Sequence, residues 1–248
     1  MRRGAVRQFV EQEQAVRRAG DLFLAGPWVP HWATVVKPPV EYIVAYFQPG
    51  LLLGSGGGGN ASQILHRFTA RQKIDGRLIR PPAALQKRID AGLEQMLAEF
   101  TSTTFGRDVR LYTLLLDMLV DLLRWERRAG ANVLEEAAAP AIAWQVVEAA
   151  LQFLRKNFAR TVYSRDVAKA AGVSQSGLEA MFKDAMGMPW VKYLQGYRVE
   201  RAIVLLLEGR QNVTEVAYSV GFESLSHFNT TFRSFTGRSP SQYLRREQ

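Results

Sequence analysis

The 248-residue sequence contains no cysteine and only three histidines. Without cysteine the chain has no disulfide, no thiol nucleophile and no cysteine-based zinc site, which fits a reducing compartment. Neither a Ser/His/Asp grouping nor paired carboxylates at catalytic spacing accompany His31, His66 and His227. The sequence therefore predicts a protein that is not an enzyme and that uses neither a metal nor a cofactor.

Long apolar runs are missing as well. No segment approaches the roughly 20 apolar residues that cross a bilayer, and no apolar stretch of the signal-peptide kind follows the start of the chain. Acidic residues are outnumbered, since 23 Asp and Glu stand against 32 Lys and Arg, for a formal net charge of +9. We expect a cytoplasmic protein, and the charge favours a polyanionic partner, either nucleic acid or an acidic membrane surface.

The first 60 residues have the composition of short β-strands. Four β-branched or aromatic segments lie between residues 6 and 47, namely VRQFVEQ, GDLFLAG, HWATVVK and EYIVAYF, separated by glycine and proline. Four strands form at most half of a barrel. A run of five glycines in six positions within residues 50–62 then predicts a flexible connection. Its formal match to G-x-G-x-x-G predicts no dinucleotide site, because no βαβ unit follows.

Two amphipathic helices are predicted after the Pro81-Pro82 pair. The apolar residues of the first lie on one face, and those of the second are spaced by four and three residues, as in a helix-helix seam. The seam packs either within this chain or against a second copy. These apolar positions are Leu85, Ile89, Leu93, Met96 and Phe100 in the first helix, and Leu111, Leu115, Met118, Leu122 and Trp125 in the second.

The last hundred residues contain an internal repeat. Val167-Ala168 and Gly172 recur 49 positions later as Val216-Ala217 and Gly221. The residues that follow recur 50 positions later, so the second turn is one residue longer. These are Leu178, Phe182, Lys183, Gly187 and Tyr193-Leu194, which recur as Phe228, Phe232, Arg233, Gly237 and Tyr243-Leu244.

Each copy predicts a helix-turn-helix. The alanine allows the two helices to approach closely, the first glycine supplies a positive φ in the turn, and the two apolar residues four positions apart anchor the second helix. Ser174 and Ser224 are predicted N-caps, Asn212 with Glu215 predicts a capping box, and the second glycine ends each helix.

A single helix is predicted between the two copies, from Pro189 to Glu208, with Gly209 after it. About 20 residues at about 1.5 Å each span roughly 30 Å, close to the roughly 34 Å of one turn of DNA. The predicted second helices, residues 174–186 and 224–236, would then lie in successive major grooves of double-stranded DNA. A repeat at fixed spacing, a spacer of this length and a basic chain together favour DNA over a membrane as the partner.

Residues 145–246, and above all VAYSVGFESLSHFNTTFRSFTGRSPSQYLR, resemble the double helix-turn-helix domain of the AraC/XylS family of transcription regulators. The segment GDLFLAGPWVPHW resembles the later half of the cupin-like jelly roll with which many of these regulators sense a small molecule. The resemblance implies an α+β fold: a partial jelly roll in residues 1–60, a helical dimerisation region in 61–140, and an all-α DNA-binding domain in 141–248. It also implies a homodimer, a sugar-like effector and, for an activator, contact with RNA polymerase.

The exposed positions of the two predicted recognition helices supply the candidate site. Polar side chains there hydrogen-bond bases or backbone, and the basic ones suit phosphates. The candidate DNA-binding residues are Gln175, Ser176, Glu179 and Lys183 in the first copy, and Ser224, Leu225, Ser226, His227, Asn229, Thr230, Arg233 and Arg238 in the second. In the β-rich region, Trp28, His31, Trp32 and Tyr46 are candidate ligand-binding residues, with ordinary apolar packing as the alternative.

Two departures from the family pattern leave a second function open. Ala180 and Thr230 occupy positions where the family usually has a basic residue, and about four strands replace the eight of a closed jelly roll. Either the sensor is reduced or the start lies inside a longer gene. The alternative function is a ligand-binding or protein-interaction module whose helices no longer read DNA.

Overall fold

The computed structural model divides the chain into two units, residues 1–138 and 139–248. The first unit combines β-strands with helices, and the second is helical throughout. The structure describes the chain except for residues 11, 28, 30, 49–50, 53–57, 70–73, 131–140 and 248.

A three-stranded antiparallel sheet begins the first unit. Its central strand β1 (Arg3–Val10) pairs with β2 (Glu13–Arg18) on one side and with β4 (His31–Glu41) on the other. Val6, Gln8 and Val10 alternate along β1 and are buried, as in a strand with one core face, and Ala5 is buried as well. A second, two-stranded sheet pairs β3 (Leu22–Phe23) with β5 (Leu78–Ile79).

The strand boundaries differ from the sequence prediction between residues 31 and 47. Pro38 and Pro39 lie inside β4 rather than ending it, and residues 42–48 form no regular strand. Proline has no N–H for the ladder, and the pairing of β1 with β4 shifts register next to the two prolines. The sheet tolerates them because β4 is an edge strand of this sheet. The predicted strand EYIVAYF was therefore wrong except for its first residue.

Helices with defined bounds follow or flank these strands in the described part of the first unit. They are α1 (Gly58–Thr69), α2 (Ile74–Arg77), α3 (Ala83–Phe100) and α4 (Arg107–Arg128). Two glycines of the predicted flexible connection therefore begin a helix, while most of the G-x-G-x-x-G match lies outside the described residues.

The apolar seam of α4 packs within its own chain. Leu122 is buried in a core with Leu85 and Ile89 of α3, and Met118 and Trp125 pack against that core. The intrachain alternative is thus the one that the structure supports for this face.

A buried ion pair ties α1 to α4. The Arg67 guanidinium donates through Nη2 and Nε to the Glu126 carboxylate, over 2.8 and 3.0 Å, and Nη2 also donates to the carbonyl oxygen of Gly76. Both side chains are almost fully buried, so each charge depends on the other for compensation. Sequence spacing gave no indication of this pair, because its partners are 59 residues apart.

The second unit consists of seven helices among the residues that the structure describes there. They are α5 (Ala141–Asn157), α6 (Ser164–Ala170), α7 (Gln175–Met186), α8 (Trp190–Glu208), α9 (Val213–Ser219), α10 (Leu225–Thr236) and α11 (Pro240–Glu247). The predicted connecting helix is α8, which ends at Gly209 in a left-handed conformation. The predicted bounds of α7, α8 and α10 are confirmed to within one residue, and each of these helices buries an apolar face.

Candidate nucleic-acid interface

The structure confirms both predicted helix-turn-helix units. Helices α6 and α7 form the first helix-turn-helix unit, and α9 and α10 form the second helix-turn-helix unit; both belong to residues 139–248. Val167 and Ala168 of the first unit are buried at the helix crossing, as are Val216 and Ala217 of the second. These small side chains let the paired helices approach each other closely, which fixes the exposed face of α7 and of α10.

Side-chain caps fix where the second helix of each unit begins. The Ser174 hydroxyl accepts from the N–H of Gly177 over 3.1 Å, and the Ser224 hydroxyl accepts from the N–H of His227 over 3.2 Å. Both bonds satisfy N–H groups that have no partner within a first helical turn. The two predicted N-caps are confirmed, and the Ser224 hydroxyl oxygen is occupied in this role.

The first helix of each unit begins differently. Asn212 and Glu215 form the predicted capping box, with bonds of 2.9 Å in both directions. At the corresponding place before α6 stands Tyr163, whose side chain makes no capping hydrogen bond. Helix α6 therefore lacks the stabilisation that α9 has.

The turn glycines also differ in their surroundings. Gly172 and Gly221 both have positive φ, +70° and +91°, as predicted. A Cβ on Gly172 would meet no atom within 4 Å, whereas a Cβ on Gly221 would lie 2.4 Å from the carbonyl oxygen of Phe158. The second turn is thus packed against the segment that precedes the first unit, and the first turn is open.

Aromatic pairs hold the second helices from inside. Phe182 of α7 meets Tyr193 of α8 edge to face at 5.9 Å, and Phe232 of α10 meets Tyr243 of α11 at 5.7 Å. Burial raises the pKa of Tyr193 to about 12, although the Arg155 guanidinium acts in the opposite direction. Tyr193 therefore remains neutral at physiological pH and serves as a packing residue.

The candidate DNA-binding residues lie on the outer faces of α7 and α10, at their caps, or just after α10. All twelve are exposed or half-buried: Gln175, Ser176, Glu179, Lys183, Ser224, Leu225, Ser226, His227, Asn229, Thr230, Arg233 and Arg238. Ala180 and Thr230, the two departures from the family pattern, are exposed on the same faces. The geometry thus gives each unit one exposed polar helix face with at least one cation.

Two contacts of these faces were not anticipated from the sequence. The Trp190 indole N–H donates to the Glu179 carboxylate over 2.6 Å, and the side chains of Gln195 and His227 meet at 3.5 Å. Trp190 and Gln195 both belong to α8, so the connecting helix positions a side chain on each recognition helix. Neither contact had a signal in the sequence, because each joins helices that only the tertiary structure brings together.

Arg198 of α8 binds the backbone of the segment that precedes α6. Its Nε donates to the carbonyl oxygen of Phe158 and its Nη2 to that of Arg160, both over 2.8 Å, and its guanidinium lies 5.7 Å from the Phe222 ring centroid. Burial lowers the pKa of Arg198, while the Glu223 carboxylate acts in the opposite direction. The Thr161 hydroxyl donates to Glu223 over 3.0 Å and adds a second link. These contacts join the connecting helix and the second helix-turn-helix unit to the segment that precedes α6.

Two of the candidate ligand-binding residues of the β-rich region, His31 and Trp32, have different neighbours. His31 lies near Phe23, with its Nδ1 2.8 Å from the carbonyl oxygen of Val29, while Trp32 stacks on Phe9 at 5.1 Å. Successive strand residues face opposite sides of a sheet, which separates these two side chains. Tyr46 follows β4 and is 85% exposed, and Trp28 lies outside the described residues. Their ligand-binding role stays a prediction.

Among the described residues, no three His, Asp or Glu side chains are grouped so that they could hold a metal ion. Within the same part of the chain, no helix is both long and apolar enough to cross a membrane.

Residues 139–248 as a whole have the architecture of a DNA-binding protein with two helix-turn-helix motifs on one connecting helix. Residues 167–246 match the family described as a helix-turn-helix domain. A putative AraC-like transcription regulator of Streptomyces lividans is 34% identical over 126 residues, which cover 51% of this chain and 41% of that protein. Residues 167–246 thus form a helix-turn-helix domain that is similar to an AraC-like transcription regulator, and the chain spans less than half the length of that relative.

Two further similarities extend over both units. The raffinose operon transcriptional regulatory protein RafR of Pediococcus pentosaceus is 23% identical over 229 residues, covering 92% of this chain and 76% of that protein. The structure of apo ToxT from Vibrio cholerae aligns with 98% of this chain and 85% of its own, at a TM-score of 0.57 and 12% identity. The latter shows a shared fold.

Proposed function

We infer that this protein is a sequence-specific DNA-binding transcription regulator. The observation that carries the proposal is the duplicated helix-turn-helix on a single connecting helix, with two exposed polar faces on α7 and α10. The matched relatives are named as transcription regulators, which supports the same function and favours a role other than catalysis. A bacterial chromosome lies in the cytoplasm, so the proposal places the protein there.

The length of α8 supports insertion of both recognition helices into the same face of DNA. Its 19 residues span about 28 Å at about 1.5 Å per residue, somewhat less than the roughly 34 Å between successive major grooves. The Arg198 contacts join α8 to the segment before α6 and to the Phe222 ring of the second motif. We expect the DNA to meet both recognition helices at a set separation. Lys183 and Arg233 are the candidate phosphate contacts, one on each helix.

The N-terminal unit is proposed as the part that senses a small molecule. We propose that its three-stranded and two-stranded sheets correspond to part of a cupin-like jelly roll. The similarity to a raffinose operon regulator supports a sugar-like effector. Exposed apolar side chains around the α3–α4 turn, among them Phe100 and Phe105, are the proposed contact for a homodimer, since the α4 seam is used within the chain. For an activator, RNA polymerase is the further partner.

Selection of duplexes from a random library by the full chain, followed by salt titration, tests the DNA-binding proposal. We expect one selected sequence with two half-sites about one helical turn apart, and an affinity that falls steeply with salt. Weak binding that is equal for all sequences would reject sequence-specific regulation and favour the interaction module. Adding raffinose or related sugars to the same titration tests the effector, since a responsive regulator changes its affinity.

A further inference from the structure

The first recognition helix carries a carboxylate on its exposed face. Glu179 lies in the middle of α7, and its Oε1 accepts a hydrogen bond from Trp190 Nε1 at 2.6 Å. Trp190 is only 4% exposed and begins α8, directly after the turn that ends α7. A buried indole therefore holds the end of an exposed acidic side chain.

This hydrogen bond restricts what Glu179 can do at a DNA surface. An N–H bond to a carboxylate is a charge-assisted bond, and 2.6 Å is short for one. A carboxylate has two oxygens and about four acceptor sites, of which the indole uses one. The remaining acceptor sites of Glu179 therefore face outward on a side chain whose rotation the Trp190 hydrogen bond already limits. Less side-chain entropy is then lost when Glu179 contacts DNA.

A carboxylate that only accepts hydrogen bonds discriminates among the bases of the major groove. Cytosine presents the N4 amino donor there, whereas guanine and thymine present acceptor oxygens. Adenine presents its N6 donor next to the N7 acceptor, whose lone pair repels the carboxylate. Cytosine is therefore the base that fits Glu179 best.

The second helix-turn-helix unit has no counterpart to the hydrogen bond between Glu179 and Trp190. By the 50-residue offset, Asn229 corresponds to Glu179, and Pro240, which has no N–H donor, corresponds to Trp190. Helix α10 accordingly carries an amide where α7 carries a carboxylate held by an indole. The expected effect is confined to the half-site that α7 reads.

We propose that Glu179 and Trp190 form a specificity-determining pair that selects cytosine at one position of the first half-site. Glu179 contacts the base, and Trp190 is a positioning residue that acts through it. The inference rests on the proposed DNA-binding function and names the base preference of one of its two helices.

The test is duplex selection with the full chain, comparing the wild type with Glu179→Gln and Trp190→Phe. The glutamine amide pairs with adenine N6 and N7, so Glu179→Gln is expected to move the preference from cytosine to adenine, with about tenfold weaker binding to the original site. Trp190→Phe keeps an aromatic ring but removes the donor, and is expected to reduce the cytosine preference about fivefold. The bases selected by the second half-site stay unchanged in both variants.

Thermal unfolding of each variant separates positioning from folding. Trp125→Phe, on α4 of the N-terminal unit (residues 1–138), is the matched control. A lowered midpoint in Trp190→Phe with an unchanged base preference would show that Trp190 is merely structural and would overturn the proposal. A wild type that selects a two-part site without cytosine preference, or a Glu179→Gln variant with the wild-type preference, would overturn it while leaving the proposed function standing. Absence of any selected sequence would reject both.

Discussion

The two helix-turn-helix units share a backbone plan but are held in the domain by different contacts. The first has an open turn at Gly172 and no side-chain cap before α6, and its recognition helix is joined to α8 through Trp190. The second has a packed turn at Gly221 and a full capping box. The repeat thus preserves the residues that pack the two helices of each unit together, while the contacts at the edges of the units have diverged.

Replacing the turn glycines is expected to give the largest difference between the units. Gly221→Ala places a methyl group against the Phe158 carbonyl in a left-handed backbone, so we expect a loss of about 3 kcal/mol or more in unfolding free energy. Gly172→Ala carries only the left-handed strain, about 1 kcal/mol. Urea unfolding of the full chain measures both. Equal losses would mean that the second turn is no more tightly packed than the first.

Removing the Arg198 contacts is expected to lower the unfolding free energy by a smaller amount, in the region of the second helix-turn-helix unit. Arg198→Ala leaves two carbonyl oxygens without their charged donor, which costs about 2 kcal/mol. Arg201→Ala, an exposed position on the same helix, is the control and should change stability by less than about 0.5 kcal/mol. Hydrogen exchange should locate the Arg198→Ala loss in residues 158–161 and the Gly221 turn. Loss spread evenly through α5 to α11 would contradict a local fastening.

Exchanging the caps should make the stabilities of α6 and α9, the first helices of the two helix-turn-helix units, more similar. Asn212→Ala removes the side-chain acceptor at the start of α9 and should cost about 1 kcal/mol. Tyr163→Asn places the same acceptor three residues before Asp166, and should stabilise α6 by about 0.5 kcal/mol. Urea midpoints of the two variants give the comparison. Destabilisation by Tyr163→Asn would indicate that the Tyr163 contact with Arg165 matters more than the cap.

Neutralising one cation on each recognition helix is expected to have the smallest effect. Lys183→Gln and Arg233→Gln should each reduce the magnitude of the logarithmic salt slope of DNA binding by about 1, because each removes one phosphate contact. Arg127→Gln, which carries the same charge change on α4, should leave the slope unaltered. A changed slope in Arg233→Gln alone would mean that only the second unit lies against the phosphates.

The sequence was sufficient to predict those features of residues 139–248 that depend on local chemistry. Ser174 and Ser224 cap their helices because a hydroxyl beside free N–H groups needs no distant partner. Phe182 and Phe232 are buried where the repeat and the helical period place them. The exposed positions of both recognition helices followed from the same period.

Features that depend on distant residues were not predictable in this way. The Arg67–Glu126 pair, the Trp190–Glu179 bond and the Arg198 contacts each join segments that are far apart in sequence or separated by a turn. The strand boundary near Pro38 was wrong because the sequence does not reveal that β4 is an edge strand, where a missing N–H is tolerated.

The contact of Gly221 with Phe158 has a consequence for domain exchange. A chimera that replaces only α9 and α10 with those of a relative would set a foreign turn against the native segment 158–161. The smallest exchangeable part of the molecule therefore begins before the first motif and includes both motifs with α8. Operator preference can be transplanted as a whole or altered by point substitution, and a single motif is not a transferable module.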